Sequence, residues 1–473
     1  MTITNQHDTS SILNAILKQV KTHTNQIDQA LKSSDGMGKV ERIMEALNRN
    51  ISCLILGSSL QKHLSNSKVL KDLKKLGGAH CLRFKEMRTK SISLGDGAVV
   101  SVASPYFIST RKRHGRKKAG PNGTGCHLAL EVLGFMGGRS PTLISRMAQA
   151  AILAPSFDVA STLLKEWGLS ASPNTIRAVC RTLARKGMVQ RGSISFSKDE
   201  NIKGYSMVIG IDGGRLRERR PKRGRKPGHL KRQGFHTDWK EPKLLTMYLI
   251  DSNGSIVRDF KPIHDATMEN HEGLFQLVSQ YLEALDINQL KRVIFTADGA
   301  PWIWQGIEKR LDAWFVTRGF PTDKVYQVLD YTHAKQHMND LLALLPKGRR
   351  EALEGNWIKW LWEGEFDSLK EAIKTNITRG RKRKQAIKQW KSYFETNAKR
   401  MHYSTFKEQG IVCGSGCVES AIRRVINLRL KSPGMFWLKD MAETFLFLRS
   451  QFISGRWNVF IRNVTCQIIK SFS

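Results

Sequence analysis

The sequence predicts an α/β fold: a mixed sheet with flanking helices, interrupted by a helical insertion and preceded by a mainly helical region. Three observations carry this expectation. Residues from Met207 to about Leu345 alternate β-type apolar runs with helical stretches. Two of the runs, Val208–Asp212 and Val293–Asp298, end on an aspartate followed by glycine, as a buried strand does when it stops at the rim of a sheet. A third stretch, Gly414-Ser415-Gly416-Cys417-Val418-Glu419-Ser420, sets a glutamate at the start of an amphipathic helix.

At 473 residues the chain exceeds one typical core, so two or three domains are expected. Lys and Arg outnumber Asp and Glu by 77 to 41, a formal charge of +36. That excess calls for a polyanionic partner, of which nucleic acid is the usual one. A membrane surface fits less well, because no long basic amphipathic anchor stands out. Met1 to Ser11 lacks the layout of a signal peptide, and no apolar run approaches a membrane span. The seven cysteines are scattered without a Cys-x-x-Cys, which fits a reducing compartment. The expectation is a soluble, cytoplasmic chain.

Taken in order, residues 1–90 read as an N-terminal helical region, with Ile12, Ile16, Val20 and Ile27 near helical spacing. From Ile92 to Ile108 the pattern turns short and β-like, opening a region that runs over 91–200. The basic run Arg111 to Lys118 is either a solvated loop or a phosphate contact. Helices are expected over Thr142–Leu153, Phe157–Trp167 and Asn174–Lys186. The last two, joined through Gly168, make a helix-turn-helix pattern over about 156–187. Its second helix presents Asn174, Thr175, Arg177 and Arg181, which suit groove or backbone contacts on DNA. By pattern alone an ordinary helical hairpin is the commoner case, and the basic charge tips the balance toward DNA.

The sheet domain is expected over 205–345 and 411–432. Its strands are Met207–Asp212, Leu244–Asp251, Ile256–Ile263, Arg292–Ala297 and Val325–Leu329; its helices are Glu269–Leu285, Trp302–Leu311 and Ala334–Leu345. Arg215 to Glu241, dense in Arg, Lys, Pro and Gly, reads as a mobile loop. Within it Arg223-Gly224-Arg225-Lys226-Pro227 approaches a minor-groove hook, interrupted by Lys226. A solvated charge run is the commoner reading of such a stretch; its start beside Asp212 makes Arg215, Arg217, Arg223, Arg225 and Lys226 its candidate DNA contacts. Residues 346–410 read as a helical insertion in which Trp357, Trp360, Trp362 and Trp390 pack a core. Over 433–473, after the break at Pro433-Gly434, a helical stretch from Phe436 to Phe452 closes the chain.

Singly, each acid has a bland explanation. Asp212-Gly213 and Asp298-Gly299 can be turns, and Glu419 a first-turn acid paired with Arg423. Together, two strand-end aspartates and a glycine-flanked glutamate in so basic a chain are a rarer coincidence. Converging carboxylates repel unless a cation neutralises them. Asp212, Asp298 and Glu419 are therefore the candidate ligands and catalytic groups, and hard oxygens select Mg²⁺ or Mn²⁺. Two such ions about 4 Å apart run phosphodiester chemistry without a protein nucleophile. Gly414 and Gly416 would let the chain turn sharply there, and Ser415 would cap the helix.

From Met207 to about Ser432 the chain resembles the DDE transposases of bacterial insertion sequences, in the ribonuclease H-like integrase superfamily. It looks closest to the Mutator-related branch with a helical insertion before the glutamate. The resemblance rests on Gly210-Ile211-Asp212-Gly213, Ala297-Asp298-Gly299-Ala300-Pro301-Trp302-Ile303-Trp304, Leu329-Asp330-Tyr331-Thr332-His333 and the Gly414–Ser420 stretch. It implies Asp212, Asp298 and Glu419 as metal ligands, with Asp330 and His333 as a supporting Asp-x-x-His pair. It further implies a transposase that binds the terminal repeats of its element as double-stranded DNA, cuts them and joins them to target DNA. A homodimer or higher assembly in the bacterial nucleoid is then expected. Some relatives carry paired cysteines where this chain has Arg111 to Lys118; with only Cys81 and Cys126 nearby, no structural zinc is expected. The rivals are a non-catalytic DNA-binding regulator and a plain metal-dependent nuclease. Trp302 and Trp304 either stack on an extruded base or pack the core.

Overall fold

The computed structural model describes residues 9–110, 125–192, 200–225, 228 and 233–466. Arg111 to Lys118, and Lys226, lie outside these described residues. The chain divides into two compact units, residues 1–183 with 458–473, and residues 184–457. Both mix helix with strand. No helix among the described residues is long and apolar enough to cross a membrane.

In the first unit, helices α1 (Thr9–Ala30), α2 (Gly36–Leu64) and α3 (Ser67–Ala79) lead into an antiparallel pair, β1 (Leu82–Ser93) and β2 (Val99–Ser109). The two-residue β3 (Gly125–Cys126) pairs with β2. β1 starts ten residues before the β-like run expected from Ile92. Its first half alternates half-buried Leu82 and Phe84 with exposed Arg83 and Lys85, a pattern whose charge hid the strand. Leu60, Leu64, Leu73, Ile92, Val100 and Phe107 form the core here. Then follow α4 (Leu128–Val132), α5 (Pro141–Leu153), α6 (Phe157–Glu166) and α7 (Pro173–Met188), the last three within a residue or two of their predicted bounds. Ser140 and Ser156 cap α5 and α6 by accepting from the amides of Leu143 and Val159. Gly168 ends α6 at φ +71°, a left-handed turn that favours glycine.

The second unit is built on a five-stranded mixed sheet. Its strands are β4 (Ser206–Gly213), β7 (Lys243–Ile250), β8 (Ile263–Thr267), β9 (Arg292–Ala297) and β10 (Val325–Leu329), in the order β10-β9-β4-β7-β8; β5 (Leu216–Pro221) and β6 (Phe235–Lys240) form a separate ribbon. β4–β7 and β7–β8 are antiparallel, while β4–β9 and β9–β10 are parallel. Every residue of β9 and the first six of β4 are buried, so both faces are covered and the strands read as mostly apolar runs. Helices α8 (His271–Ala284), α9 (Pro301–Gly306), α10 (Asp312–Thr317) and α11 (Tyr331–Leu342) follow, with a π-helical turn over Ile307–Leu311 between α9 and α10.

Two expectations fail here. The strand predicted over Ile256–Ile263 forms over Ile263–Thr267 instead. Asp251 closes a tight turn by accepting from the amides of Asn253 and Ser255, and Ile250 and Ile256, which flank the turn, make only an isolated bridge. The loop predicted over Arg215–Glu241 contains the antiparallel ribbon β5–β6, whose exposed positions mix basic residues with aromatic and polar ones and whose base holds buried Leu216. Charge density does not prevent a ribbon whose faces are solvated. This one is anchored through Trp437, whose amide donates to Arg217 O at 2.9 Å and whose carbonyl accepts from Arg219 N at 2.8 Å.

The insertion comprises α12 (Lys347–Glu363), α13 (Phe366–Asn376), α14 (Gly380–Gln389) and α15 (Tyr403–Glu408). Trp357 and Trp390 are buried, and Trp360 and Trp362 pack half-buried against the same core as the sheet, in line with the packing reading. Then come α16 (Gly416–Ile422), a π-helical turn over Arg423–Asn427 and α17 (Leu428–Leu430). The last predicted helix begins later, as α18 (Lys439–Ile453), because Phe436 to Leu438 run extended beside β5; a further helix, α19 (Trp457–Thr465), follows it.

Candidate metal centre

Three aspartates follow or end three neighbouring parallel strands. Gly210 pairs with Thr296, so Asp212 and Asp298 each lie two residues further on along β4 and β9. Leu329 pairs with Ala297, and Asp330 comes next after β10, its amide donating to Ala297 O at 2.8 Å. All three therefore sit at one end of the sheet, where reactive crevices of open α/β sheets lie.

Glu419 arrives from far along the chain. α16 packs over β4 where Gly210 leaves room: a Cβ on Gly210 would lie 2.9 Å from Val418 Cβ, closer than side chains tolerate. That close approach sets the first turn of α16 beside the end of β4. The glycines expected to matter, Gly414 and Gly416, have open space around them and no left-handed φ, so neither requires glycine. Ser415 stands at the N-cap of α16 but does not cap with its side chain; its Oγ donates to Glu419 Oε1 at 3.0 Å. The i+4 pair between Glu419 and Arg423 is not among the ion pairs of the described residues.

Asp330 is the most engaged of the acids. It caps α11 by accepting from the amide of His333 at 2.9 Å, and its second oxygen accepts from the amide of Ser415. One buried carboxylate thus ties the start of α11 to the segment carrying Glu419. Burial works to raise its pKa, but the hydrogen bonds from His333 and Ser415 together hold it well below the usual carboxylate range. His333 Nδ1 lies 3.4 Å from Asp330 Oδ1, and that contact, with the charges of Asp298 and Glu419, raises the imidazole pKa. Asp212 behaves oppositely. Burial pushes it up from 3.8 to about 6, helped by Asp298 and Glu419 and opposed by the Gly213 amide and His333.

Ligand atoms of Asp330, His333 and Glu419 all lie within 4.8 Å of one another, the one such trio among the described residues. Asp212 and Asp298 stand outside that trio yet close enough to act on it electrostatically. The carboxylates predicted as ligands thus share one neighbourhood, while the tightest grouping joins Glu419 to the predicted supporting pair. Asp298 is held by its loop: Oδ1 accepts from Ala300 N at 2.9 Å, and its carbonyl accepts from Trp304 Nε1 at 2.9 Å. Trp304 is buried and so packs, but its indole also fixes the Asp298 turn. Trp302 is half-buried, edge-on to Phe275, with Lys243 Nζ 4.1 Å from its ring centre.

Sequence reasoning missed Tyr393. It projects from a π-helical turn of the insertion, Trp390–Glu395, onto Gly299, whose missing Cβ would lie 2.4 Å from the ring. Its hydroxyl is buried, and burial, with Asp298 and Asp330 nearby, raises its pKa. The only signal was an aromatic residue in a helix. Also missed was buried Arg449, which donates to Val425 O at 2.7 Å and to Arg424 O, filling carbonyls of the π-helical turn after α16.

The predicted DNA contacts divide between two places. Asn174, Arg177 and Arg181 are exposed along α7, and Thr175 is half-buried with its hydroxyl 2.9 Å from that of Ser172. Arg177 lies 5.2 Å from the Phe157 ring centre. Arg215 is exposed and Arg217 half-buried on the β5–β6 ribbon, with Arg223 and Arg225 exposed toward its tip. Against known proteins, the chain matches no family model and no curated sequence.

Proposed function

We propose that this chain is a DDE-type DNA transposase with a ribonuclease H-like catalytic domain. It would bind the terminal repeats of its own insertion sequence, cut at their ends and join them to target DNA. The observation that carries the reading is the meeting of Asp212, Asp298, Asp330 and Glu419 at one end of three parallel strands, in a chain of charge +36. The mixed order of the sheet supports the ribonuclease H-like assignment, and α6, its glycine turn and α7 support a helix-turn-helix.

The donor set fits hard divalent cations. Asp212 is half-buried beside other acids, and desolvation first, then the charges of Asp298 and Glu419, raises its pKa to about 6, a cost that a cation would relieve. Asp212, Asp298 and Glu419 would hold Mg²⁺ or Mn²⁺, up to two ions. Bound there, the ions supply charge neutralisation and activation of an attacking water or 3′-hydroxyl. Asp330 would hold Ser415, and through it Glu419, in place; His333, whose imidazole pKa Asp330 raises, would meet a phosphate oxygen. Arg215, Arg217, Arg223 and Arg225 would grip phosphates beside the site, and Asn174, Thr175, Arg177 and Arg181 would read the repeat. Two ends must meet, so a homodimer or larger assembly on double-stranded DNA, in the bacterial nucleoid, belongs to this reading.

The test is cleavage and strand transfer on labelled DNA carrying the element's ends, with Mg²⁺, comparing the parent with Asp212→Asn, Asp298→Asn and Glu419→Gln. Each variant should lose both reactions and keep binding. Variants that cut as well as the parent would refute the site. Cutting without joining would favour a nuclease, and binding alone a regulator.

A further inference from the structure

The β5–β6 ribbon sorts its residues by face. Residues 217 and 219 pair with 239 and 237, so odd-numbered positions share one face and even-numbered positions the other. The even face carries both acids of the ribbon, Glu218 and Asp238, and Arg220 pairs with Asp238 at 2.5 Å. The odd face carries Arg217, Arg219, Phe235 and Trp239, with Arg215 and Phe436 alongside, and no carboxylate among the described ribbon residues. Guanidinium groups lie against rings throughout. Arg215 and Arg217 are each 5.6 Å from the Trp239 centroid, Arg217 is 5.1 Å from Phe436, and Arg219 is 5.7 Å from Phe235. Despite those contacts Trp239 remains 54 % exposed, with Phe235 at 39 % and Phe436 at 36 %.

Exposed aromatics interleaved with unopposed arginines are chemically unusual for a face that meets only water, and two features identify what would cover it. The positive charge is complementary to phosphates. The rings offer planar surfaces to flat partners, which phosphate contacts alone do not need. Spacing separates unpaired from paired DNA: positions two apart on a strand are about 6.6 Å apart, and Phe235 and Trp239 about 13 Å. Stacked duplex bases repeat about every 3.4 Å and keep their faces hidden. We propose that the odd face of this ribbon binds single-stranded DNA, its rings stacking on unpaired bases while Arg215, Arg217 and Arg219 meet the phosphates. This deepens the proposed function and rests on its DNA partner, not on its metal chemistry: the ribbon begins just after Asp212, so it would hold a separated strand next to the cut.

The experiment uses the full chain and fluorescence anisotropy with three labelled DNAs: a single strand, the blunt duplex, and a duplex with an unpaired tail. The compared proteins are the parent, Trp239→Leu with Phe235→Leu, Trp239→Phe, and Arg217→Gln with Arg219→Gln. The double leucine variant should bind about tenfold or more weakly to the single strand and to the tailed duplex, and less than about twofold more weakly to the blunt duplex. Trp239→Phe should keep most of the affinity, which separates missing stacking from misfolding. The arginine variant should weaken all three and make the salt dependence shallower by about 0.7–0.9 in slope for each phosphate it no longer meets. If the leucine variant weakens the blunt duplex as much as the tailed one, the ribbon reads a groove; if it changes none, the face does not bind DNA. Either result overturns the proposal. Loss of this selectivity with cleavage intact would leave the transposase reading standing. Selective binding by a parent that never cuts would do the reverse.

Discussion

Asp212 is where the proposed chemistry should be visible as a stability cost. Its carboxyl is raised from 3.8 to about 6 by burial first, then by Asp298 and Glu419. The folded chain therefore holds that proton more tightly than the unfolded chain. The resulting stabilisation is complete below about pH 3.8 and is lost as pH rises through about 6. At about 1.4 kcal/mol per pH unit the loss at neutral pH is at most about 3 kcal/mol, and about 1.5 kcal/mol if water screens half of it. Asp212→Asn keeps an oxygen for the Gly213 amide, which now donates to Oδ1 at 2.6 Å, and removes the charge. The variant should then be more stable than the parent at pH 7.5 without divalent ions. For a unit of this size the gain is about 3–8 °C in Tm. The gap should shrink toward zero by pH 4, where the parent is protonated, which separates this acid from others titrating in both proteins. Millimolar Mg²⁺ should raise the parent's Tm more than the variant's. Scanning calorimetry over pH 4–8, with and without Mg²⁺, decides it. A variant less stable than the parent at pH 7.5, or a gap independent of pH, would refute the argument.

Three further outcomes follow from the same contacts. Asp330→Asn should lower stability by about 2–3 kcal/mol, since a buried carboxylate with two backbone donors is replaced by a neutral acceptor. With its pKa depressed, the parent's advantage is present above the ordinary aspartate value and fades as pH falls, so unfolding at pH 7 and pH 3 should show the difference closing. Gly210→Ala should push α16 from β4 and cost about 1–3 kcal/mol, with cleavage falling; adding Val418→Ala should recover part of both, measured by denaturant unfolding and cleavage rate. Trp304→Phe should keep the core packed but free the Asp298 carbonyl, lowering cleavage about tenfold or more while Tm changes little. Equal cleavage by Trp304→Phe and the parent would make that tryptophan a packing residue alone.

Much of the sheet was legible in the chain because its central strands are buried on both faces. β9 and β10 fall on the predicted residues, and β4 and β7 within one, since a run such as Val293 to Ala297 admits few other structures. Strands that lean on partners were not. The first part of β1, Leu82 to Lys90, and β5 are dense in charge; pairing with β2 reveals the one as a strand, and pairing with β6 and the anchoring Trp437 the other. β8 was misplaced because a turn closed by Asp251 shifted the apolar register onward.

By itself the sequence determined the chemistry on offer: hard oxygen donors at strand ends, a glutamate opening an apolar-striped helix, and a cationic chain to meet a polyanion. Residue type and local spacing carry that information. Only the tertiary structure decided which acids meet and in what state. Glu419 lies 121 residues beyond Asp298 in sequence, and it reaches the site because Gly210 admits Val418 and because Asp330 holds the Ser415 amide. The same packing partly desolvates Asp212, raising its pKa, and wraps Asp330 in donors, lowering its own. Two aspartates with the same side chain thus take opposite roles, because desolvation and hydrogen bonding are properties of the surroundings that folding assembles.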